Sequence, residues 1–151
     1  MIVQGIHAAA HPDRFLVPDA QRVEPVFREW LEPGHARDWL PGQAETRGWL
    51  CESAEREAVG YVIAVSRERP ETPFTSPQRW VELDQIAVRD DHRAAGAGRS
   101  LVLAVVEWAR ELGVDTLELT VWEFNQTAQS FFAGLGFQVI QRRQAWRIPD
   151  S

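Results

Sequence analysis

Hydrophobic and polar positions change rhythm near residue 49. Before it, Pro12, Pro18, Pro25, Pro33 and Pro41 interrupt the chain, so any helix there must be short. Val23, Phe27, Trp30 and Leu31 recur at the three- and four-residue steps of one apolar helical face and predict a helix over 20–31. A second short helix is predicted over 35–40, and residues 1–9 read as a short strand. From Trp49 the pattern is one of strands: WLCE, the polar insert SAEREA and VGYVIAVSR predict two strands joined by a hairpin tip. RPETPFTSPQ, with Pro70, Pro73 and Pro77, must be a surface loop leading to a strand over 80–88.

Beyond Val88 the period lengthens. Leu101, Val105, Trp108, Ala109 and Leu112 share one face of a helix predicted over 98–112 and stopped by Gly113. Leu117, Leu119 and Val121 alternate through a strand over 116–121. Ala128, Phe131, Phe132 and Leu135 mark a helix over 125–135, closed by Gly136, and FQVIQRRQAWRI is predicted as a final strand region. Strand, helix, strand, helix, strand after a hairpin makes a mixed α/β sheet. No internal repeat or boundary breaks the pattern, so the 151 residues are read as one domain, 1–151.

Composition narrows the function. With 44% hydrophobic and 25% charged residues the chain is neither disordered nor fibrous. All 16 basic residues are arginine against 22 acids, and a net charge of −6 argues against a protein that grips nucleic acid by neutralising phosphates. Cys51 is alone, so it forms no internal disulfide, and no Cys or His lies near it at metal-ligand spacing; a reducing compartment and no metal are expected. No apolar run approaches the ~18–20 residues that span a bilayer, and MIVQGIHAAAHPDRF has no basic leader before an apolar core, so a cytoplasmic, unprocessed protein off the membrane is expected.

The most informative segment is the strand VELDQIAV running into RAAGAGRS and a helix. Arg93, Gly96 and Gly98 form R-x-x-G-x-G. Glycines there admit positive φ and close approach of backbone N–H groups, while the helix start aims its unsatisfied N–H groups and positive dipole end the same way. That is an anion cradle, set in a stretch where Arg89, Arg93, Arg99 and Arg110 face Asp90, Asp91 and Glu107. A dinucleotide fingerprint would need a third glycine where Leu101 stands, and a P-loop would need a lysine. A purely structural strand-to-helix turn is the competing reading of the two glycines.

Taken together, IAVRDDHRAAGAGRSLV and LELTVWEFNQTAQSFFAGLGF resemble the two signatures of the GNAT superfamily of N-acetyltransferases, in the family's order and separated by one helix and one strand. The resemblance is carried by residues 49–140 and hardly at all by the first 48. It implies a mixed, mostly antiparallel sheet that splays between two central parallel strands and is flanked by helices, with acetyl-CoA in the opening. It further implies that backbone groups of Ile86, Ala87 and Val88 meet the acetyl-pantetheine arm, and that Arg93, Ala94, Ala95, Gly96, Ala97, Gly98, Arg99 and Ser100 surround the pyrophosphate. Asn125 takes the family's contact position near the pantetheine, or caps the following helix, or both.

The implied chemistry is attack of an amine on a thioester. An alkyl amine with a pKa near ~10.4 is mostly protonated at neutral pH, so a base is useful. Glu82 matches a general-base position in some family branches, Asp84 is the reserve, and the plain alternative is that both acids form a polar strand face. The resemblance gives the backbone N–H of Ile86 to the oxyanion. The departure is Phe132: much of the family has there a tyrosine that protonates the departing thiolate, and Tyr61, the only tyrosine, lies on an earlier strand expected away from the thioester. A thiol of pKa near ~8.5 still leaves unprotonated, more slowly, and Phe132 then packs at the sulfur end.

The leading reading is direct acetyl transfer to a primary amine, a small molecule or a peptide N-terminus, in a ternary complex; Cys51 lies outside both signatures, which disfavours a covalent intermediate. A non-catalytic acyl-CoA-binding regulatory module and a nucleotide binder unrelated to CoA are the alternatives. The acceptor's identity and whether the chain forms a homodimer stay open at the level of sequence.

Overall fold

β-branched Val59, Val62, Ile63 and Val65 recur through 58–69, where VGYVIAV supplies a long strand buried at Val59 and from Val62 to Val65. In the computed structural model, which describes residues 45–150, this strand is β2 (Ala58–Arg69), and it pairs antiparallel with β1 (Thr46–Glu52) on one side and β3 (Gln78–Val88) on the other. A 3₁₀ turn at Asp90–His92 leads to helix α1 (Ala97–Glu111), which returns the chain to β4 (Leu117–Leu119), parallel to β3. The described sheet runs β1-β2-β3-β4. The predicted segments 1–9, 20–31 and 35–40 lie outside the described residues.

Each turn follows from its residues. The tip of the β1–β2 hairpin closes on Ser53, whose N–H donates to Glu57 O at 2.8 Å while its hydroxyl accepts from the N–H groups of Glu55 and Glu57. The proline-rich loop before β3 is held by Thr72 and Thr75, which exchange backbone hydrogen bonds of 2.9 and 3.3 Å. Gly113, at φ 67, stops α1 as expected.

The core lies between the sheet and α1. Cross-strand partners project to the same face, so Val62 and Ala64 of β2 share a face with Ile86 and Leu83 of β3. Leu101, Val105 and Trp108 supply the buried stripe of α1, and Val62, Ala64, Val81 and Val105 are fully buried. Each such side chain contributes about 1.5–3 kcal/mol where it is of valine size or larger. At the β1 end Trp49 meets Trp108 edge-on at 5.7 Å, and the Arg47 guanidinium lies 5.1 Å from the Trp108 ring centre.

The chain divides after Thr120 into two compact units. The second contains α2 (Gln126–Gly134) and the segment that follows it. Two expectations are corrected there and at β4. The final strand is absent: residues 137–150 carry no regular structure, and Val139, Ile140, Trp146 and Ile148 are exposed. Its alternation is broken by four successive polar residues, Gln141 to Gln144, and a strand that finds no ladder does not form. β4 is also shorter than the predicted 116–121, pairing only through Leu117, Glu118 and Leu119.

One glycine is required by packing. A Cβ on Gly60 would stand 2.9 Å from Ala87 O and 3.2 Å from side-chain atoms of both Leu101 and Val88. Gly60→Ala is therefore expected to destabilise the fold by about 1–3 kcal/mol, read as a lower urea midpoint at constant slope; an unchanged midpoint would show that β2 and β3 separate there freely.

Candidate active site

The site begins with a fault in the pairing of β2 and β3. Ile63 opposes Gln85 and Ala64 opposes Leu83, so Asp84 is an extra residue, a β-bulge. On the other edge of β3, β4 pairs with Val81, Glu82 and Leu83 and goes no further. The parallel pair thus ends where the bulge begins, and β3 continues for five residues with no described strand along that edge. Backbone N–H groups alternate in direction along a strand. Because Arg89 N–H donates to Val59 O at 2.8 Å, Val88 and Ile86 direct their N–H groups away from β2, towards the unpaired edge.

At the end of β3 the chain turns through Arg93, extended, and Ala94, left-handed at φ 66, to Gly96 at φ 87, which caps α1. Gly96 has no side chain with which to cap this helix end. The N–H groups of Ala97, Gly98 and Arg99 are therefore left without helical partners, and Ser100 N–H is the first to reach back, to Gly96 O at 3.0 Å. The nearby acids are occupied. Asp90 pairs with Arg93 at 3.0 Å and Asp91 with Arg89 at 2.8 Å. His92 Nδ1 lies 2.9 Å from Asp91; that hydrogen bond first, then Arg89, holds the Asp91 carboxyl below the usual range. Arg93 also donates from Nε to Val88 O at 3.4 Å. Arg99 makes no ion pair among the described residues and is exposed. The open helix end and this arginine suit a polyanion such as a pyrophosphate.

The bulge also decides which side chains share a face. Before it, Val81 and Leu83 turn towards α1; after it, Ile86 and Val88 do, since Val88 stands beside Leu101 at Gly60. Glu82, Gln85 and Ala87 consequently fall together on the opposite face, across from Val65, Ile63 and Tyr61. Two contacts hold this strip. Arg67 Nε donates to Glu82 Oε2 at 2.9 Å, with the arginine side chain only 11% exposed. Tyr61 donates its hydroxyl to Gln85 Oε1 at 3.3 Å. Burial, and then the negative charge of Asp84, push the Tyr61 phenol above its ordinary pKa. Beside the ring lies a shallow depression of about 150 Å³ lined by Leu50, Ala58, Val59, Ala87 and Arg89.

Glu82, Asp84, Ile86, Ala87 and Val88 lie along β3, which runs through a 3₁₀ turn into the 93–100 segment. The structure adds Tyr61, Gln85 and Arg67, which the sequence reading did not promote. Counting the hairpin register back from its SAEREA tip would have set Tyr61 opposite Leu50 of β1, and only the β2–β3 register sets it beside Ala87. In the second unit, Asn125 is an N-cap, its Oδ1 accepting from Ala128 N–H at 3.1 Å. Phe132 is buried, with Phe131 and Phe137 edge-on at 5.1 and 5.4 Å. Among the described residues there is no cluster of His, Cys, Asp or Glu that would hold a metal ion.

Residues 9–137 match the model of the acetyltransferase (GNAT) family. N-acetyltransferase 8F1 of Rattus norvegicus is 29% identical over 103 residues, which are 66% of this chain and 44% of that protein. The chain spans about two fifths of the length of the curated relatives it matches most strongly. Among solved structures, a tetramutant of the BH1408 protein of Bacillus halodurans superposes with a TM-score of 0.80 at 19% identity, covering 97% of this chain and 87% of that one. An aminoglycoside N-acetyltransferase, AAC(6')-Iy, solved with CoA, gives 0.57 at 23% identity over 68% of this chain and 75% of its own. At these identities the structural likeness concerns the fold.

Tyr61 can be watched directly because it is the only tyrosine. Its phenolate absorbance in the near ultraviolet is expected to rise only above the ordinary ~10, and Asp84→Asn should lower the midpoint part of the way, burial being the larger cause. A group bound to its proton more tightly in the folded state stabilises the fold fully below the unfolded pKa, and this contribution is lost as pH rises through the folded one. A midpoint at the ordinary value would place the phenol in water.

Proposed function

Because the chain belongs to the GNAT acetyltransferase family, we propose that it is an N-acetyltransferase that moves the acetyl group of acetyl-CoA to a primary amine by direct attack in a ternary complex. The observation that carries this reading is the unpaired β3 edge beyond the bulge, continuous with an uncapped helix end. One end suits the amide-rich pantetheine arm, the other the pyrophosphate, and they follow each other along the chain as the cofactor's parts do.

In this proposal Ile86, Ala87 and Val88 bind the acetyl-pantetheine arm through backbone groups. The open N–H groups of Ala97, Gly98 and Arg99 take the pyrophosphate, with Ala94, Ala95 and Gly96 shaping the turn, Ser100 completing the first helical turn and Arg99 adding charge. Arg93 fixes the turn through Asp90 and Val88 O and reaches phosphate only by leaving Asp90. Ile86 N–H meets the oxyanion as the amine nitrogen bonds to the carbonyl carbon and the carbon–sulfur bond breaks. Glu82 receives the amine proton on Oε1, Oε2 being held by Arg67; Asp84 is the reserve base. Position 132 has no proton to give, so the thiolate departs unprotonated or takes a proton from water. Asn125 and Phe132 remain proposed cofactor contacts on the family resemblance.

The acceptor class proposed is a small primary amine or a peptide N-terminus, drawn by the acids at 82 and 84; among relatives, one protein is named a thialysine N-epsilon-acetyltransferase and another an L-ornithine N5-acetyltransferase. We assign the work to one domain over 1–151, in the cytoplasm, and a homodimer is the assembly to test. No described helix is long and apolar enough to cross a membrane. A second reading, an acyl-CoA-binding module without turnover, is favoured by the missing hydroxyl at 132 and the Arg67–Glu82 pair.

Calorimetry and a thiol-release assay separate the readings. Acetyl-CoA is expected to bind and ATP not, and at least one of a panel of alkyl amines and peptide N-termini should release CoA. Binding without release from any amine would establish the module instead, and binding of ATP in preference to acetyl-CoA would overturn both. Glu82→Gln should lower kcat by about 10²-fold or more and remove the acidic limb of the pH profile, with acetyl-CoA affinity unchanged; an unaltered profile would take Glu82 out of the base role.

A further inference from the structure

A carboxylate that is to take a proton must hold one oxygen towards the donor. Glu82 has two, and rotation about the carboxyl bond exchanges them, so a base free to turn is misdirected for part of the time. Its position makes this harder. β3 lies between β2 and β4, and on the β4 side Glu118 is in register with Glu82. Residues paired in this way project to the same face from strands about 4.8 Å apart, so the two carboxylates repel each other. Among the described residues Glu118 has no hydrogen bond or ion pair that would draw it aside.

The opposing force comes from β2. Val65 is the cross-strand partner of Glu82, and Arg67, two residues on, falls on the same face because the extra residue of the bulge belongs to β3. From there Arg67 reaches diagonally and donates from Nε to Glu82 Oε2 at 2.9 Å. The arginine side chain is 11% exposed and the glutamate 30%, so the cation is enclosed while the acid keeps access to solvent. Among the described residues Arg67 has no other partner, and Glu82 Oε1 has none. Arginine stays protonated at any working pH, and Oε2 still accepts its hydrogen bond when a proton sits on Oε1.

We propose that Arg67 is a positioning residue for the transfer: by holding Oε2 against the repulsion from Glu118, it keeps Oε1 of Glu82 as the one oxygen offered to the amine. The proposal rests on the transferase reading above and on Glu82 as its base, and adds to them the group through which the base is aimed. The amine nitrogen bonds to the carbonyl carbon, the thiolate leaves with the electron pair of the carbon–sulfur bond, and the amine proton passes to Oε1. Arg67 gains and loses no proton and touches neither the amine nor the thioester. The Arg67–Glu82 pair, which in a module without turnover would be only a structural tie, is on this account part of the catalytic arrangement.

Arg67→Met removes the donor and keeps an unbranched stem of similar length. In the full chain it is expected to lower kcat for the best amine about tenfold, the scale of one lost charge-assisted hydrogen bond, with the amine KM and the calorimetric Kd for acetyl-CoA unchanged. In a Glu82→Gln background the same substitution should lower kcat no further, a coupling that shows Arg67 acting through Glu82. Arg67→Lys keeps the charge beside Glu82 but not the guanidinium fork, and it takes the place of Arg67→Met in both backgrounds if thermal melting shows that Arg67→Met does not fold. An unaltered kcat in the otherwise natural chain, or a loss repeated in full in the Glu82→Gln background, would overturn the proposal while the transferase reading stands. An unaltered kcat in Glu82→Gln alone would remove the base and this proposal together but leave the transferase. Absence of turnover in the unsubstituted protein with every amine, despite acetyl-CoA binding, would overturn the transferase reading itself.

Discussion

A strand must satisfy N–H and C=O groups along two edges, and β3 does so unequally. Along β2 it is paired from end to end, with one bulge at Asp84; along β4 it is paired for three residues. Beyond Leu83, at the end of β3 nearest the turn into α1, no described strand runs along that second edge. The proposed binding of the cofactor by edge pairing and the proposed stabilisation of an oxyanion both rest on this mismatch. A sheet that paired β3 fully on both sides would be more regular and would have no opening.

The electrostatics obey the same economy. In the proposed function a protein of net charge −6 would meet a polyphosphate by directed N–H groups more than by bulk charge. The two acids in the turn, which by sequence weaken the cradle, are engaged by Arg93 and Arg89 and so help to hold the turn's shape. On the other face Arg67 plays a comparable part for Glu82: a half-buried carboxylate is kept in one place by a nearly buried guanidinium. Such a pair fixes geometry, while the cost of desolvating both charges offsets most of its Coulombic gain.

Local patterns made much of this legible. The β1–β2 hairpin, the proline loop, the strand ending at Val88 and the helix stopped by Gly113 were all readable because alternation, turn residues and helical periodicity act over a few neighbours. The tail was misread for the same reason. FQVIQ alternates like a strand, but strandedness depends on an edge to pair with, which no local pattern records. Asn125 shows the converse: its capping role was legible from its place before the helix, and it is what the structure contains.

The sequence by itself determined the order of elements, the glycine turn at 93–98, the acids at 82 and 84 and the lack of a hydroxyl at Phe132, because these reside in residue type and short-range spacing. Only the tertiary structure decided that Tyr61, Gln85, Glu82 and Arg67 form one polar strip. Which face a strand residue takes depends on register, and one inserted residue reverses it. The bulge at Asp84 performs that reversal, and it exists only once β2 and β3 are paired.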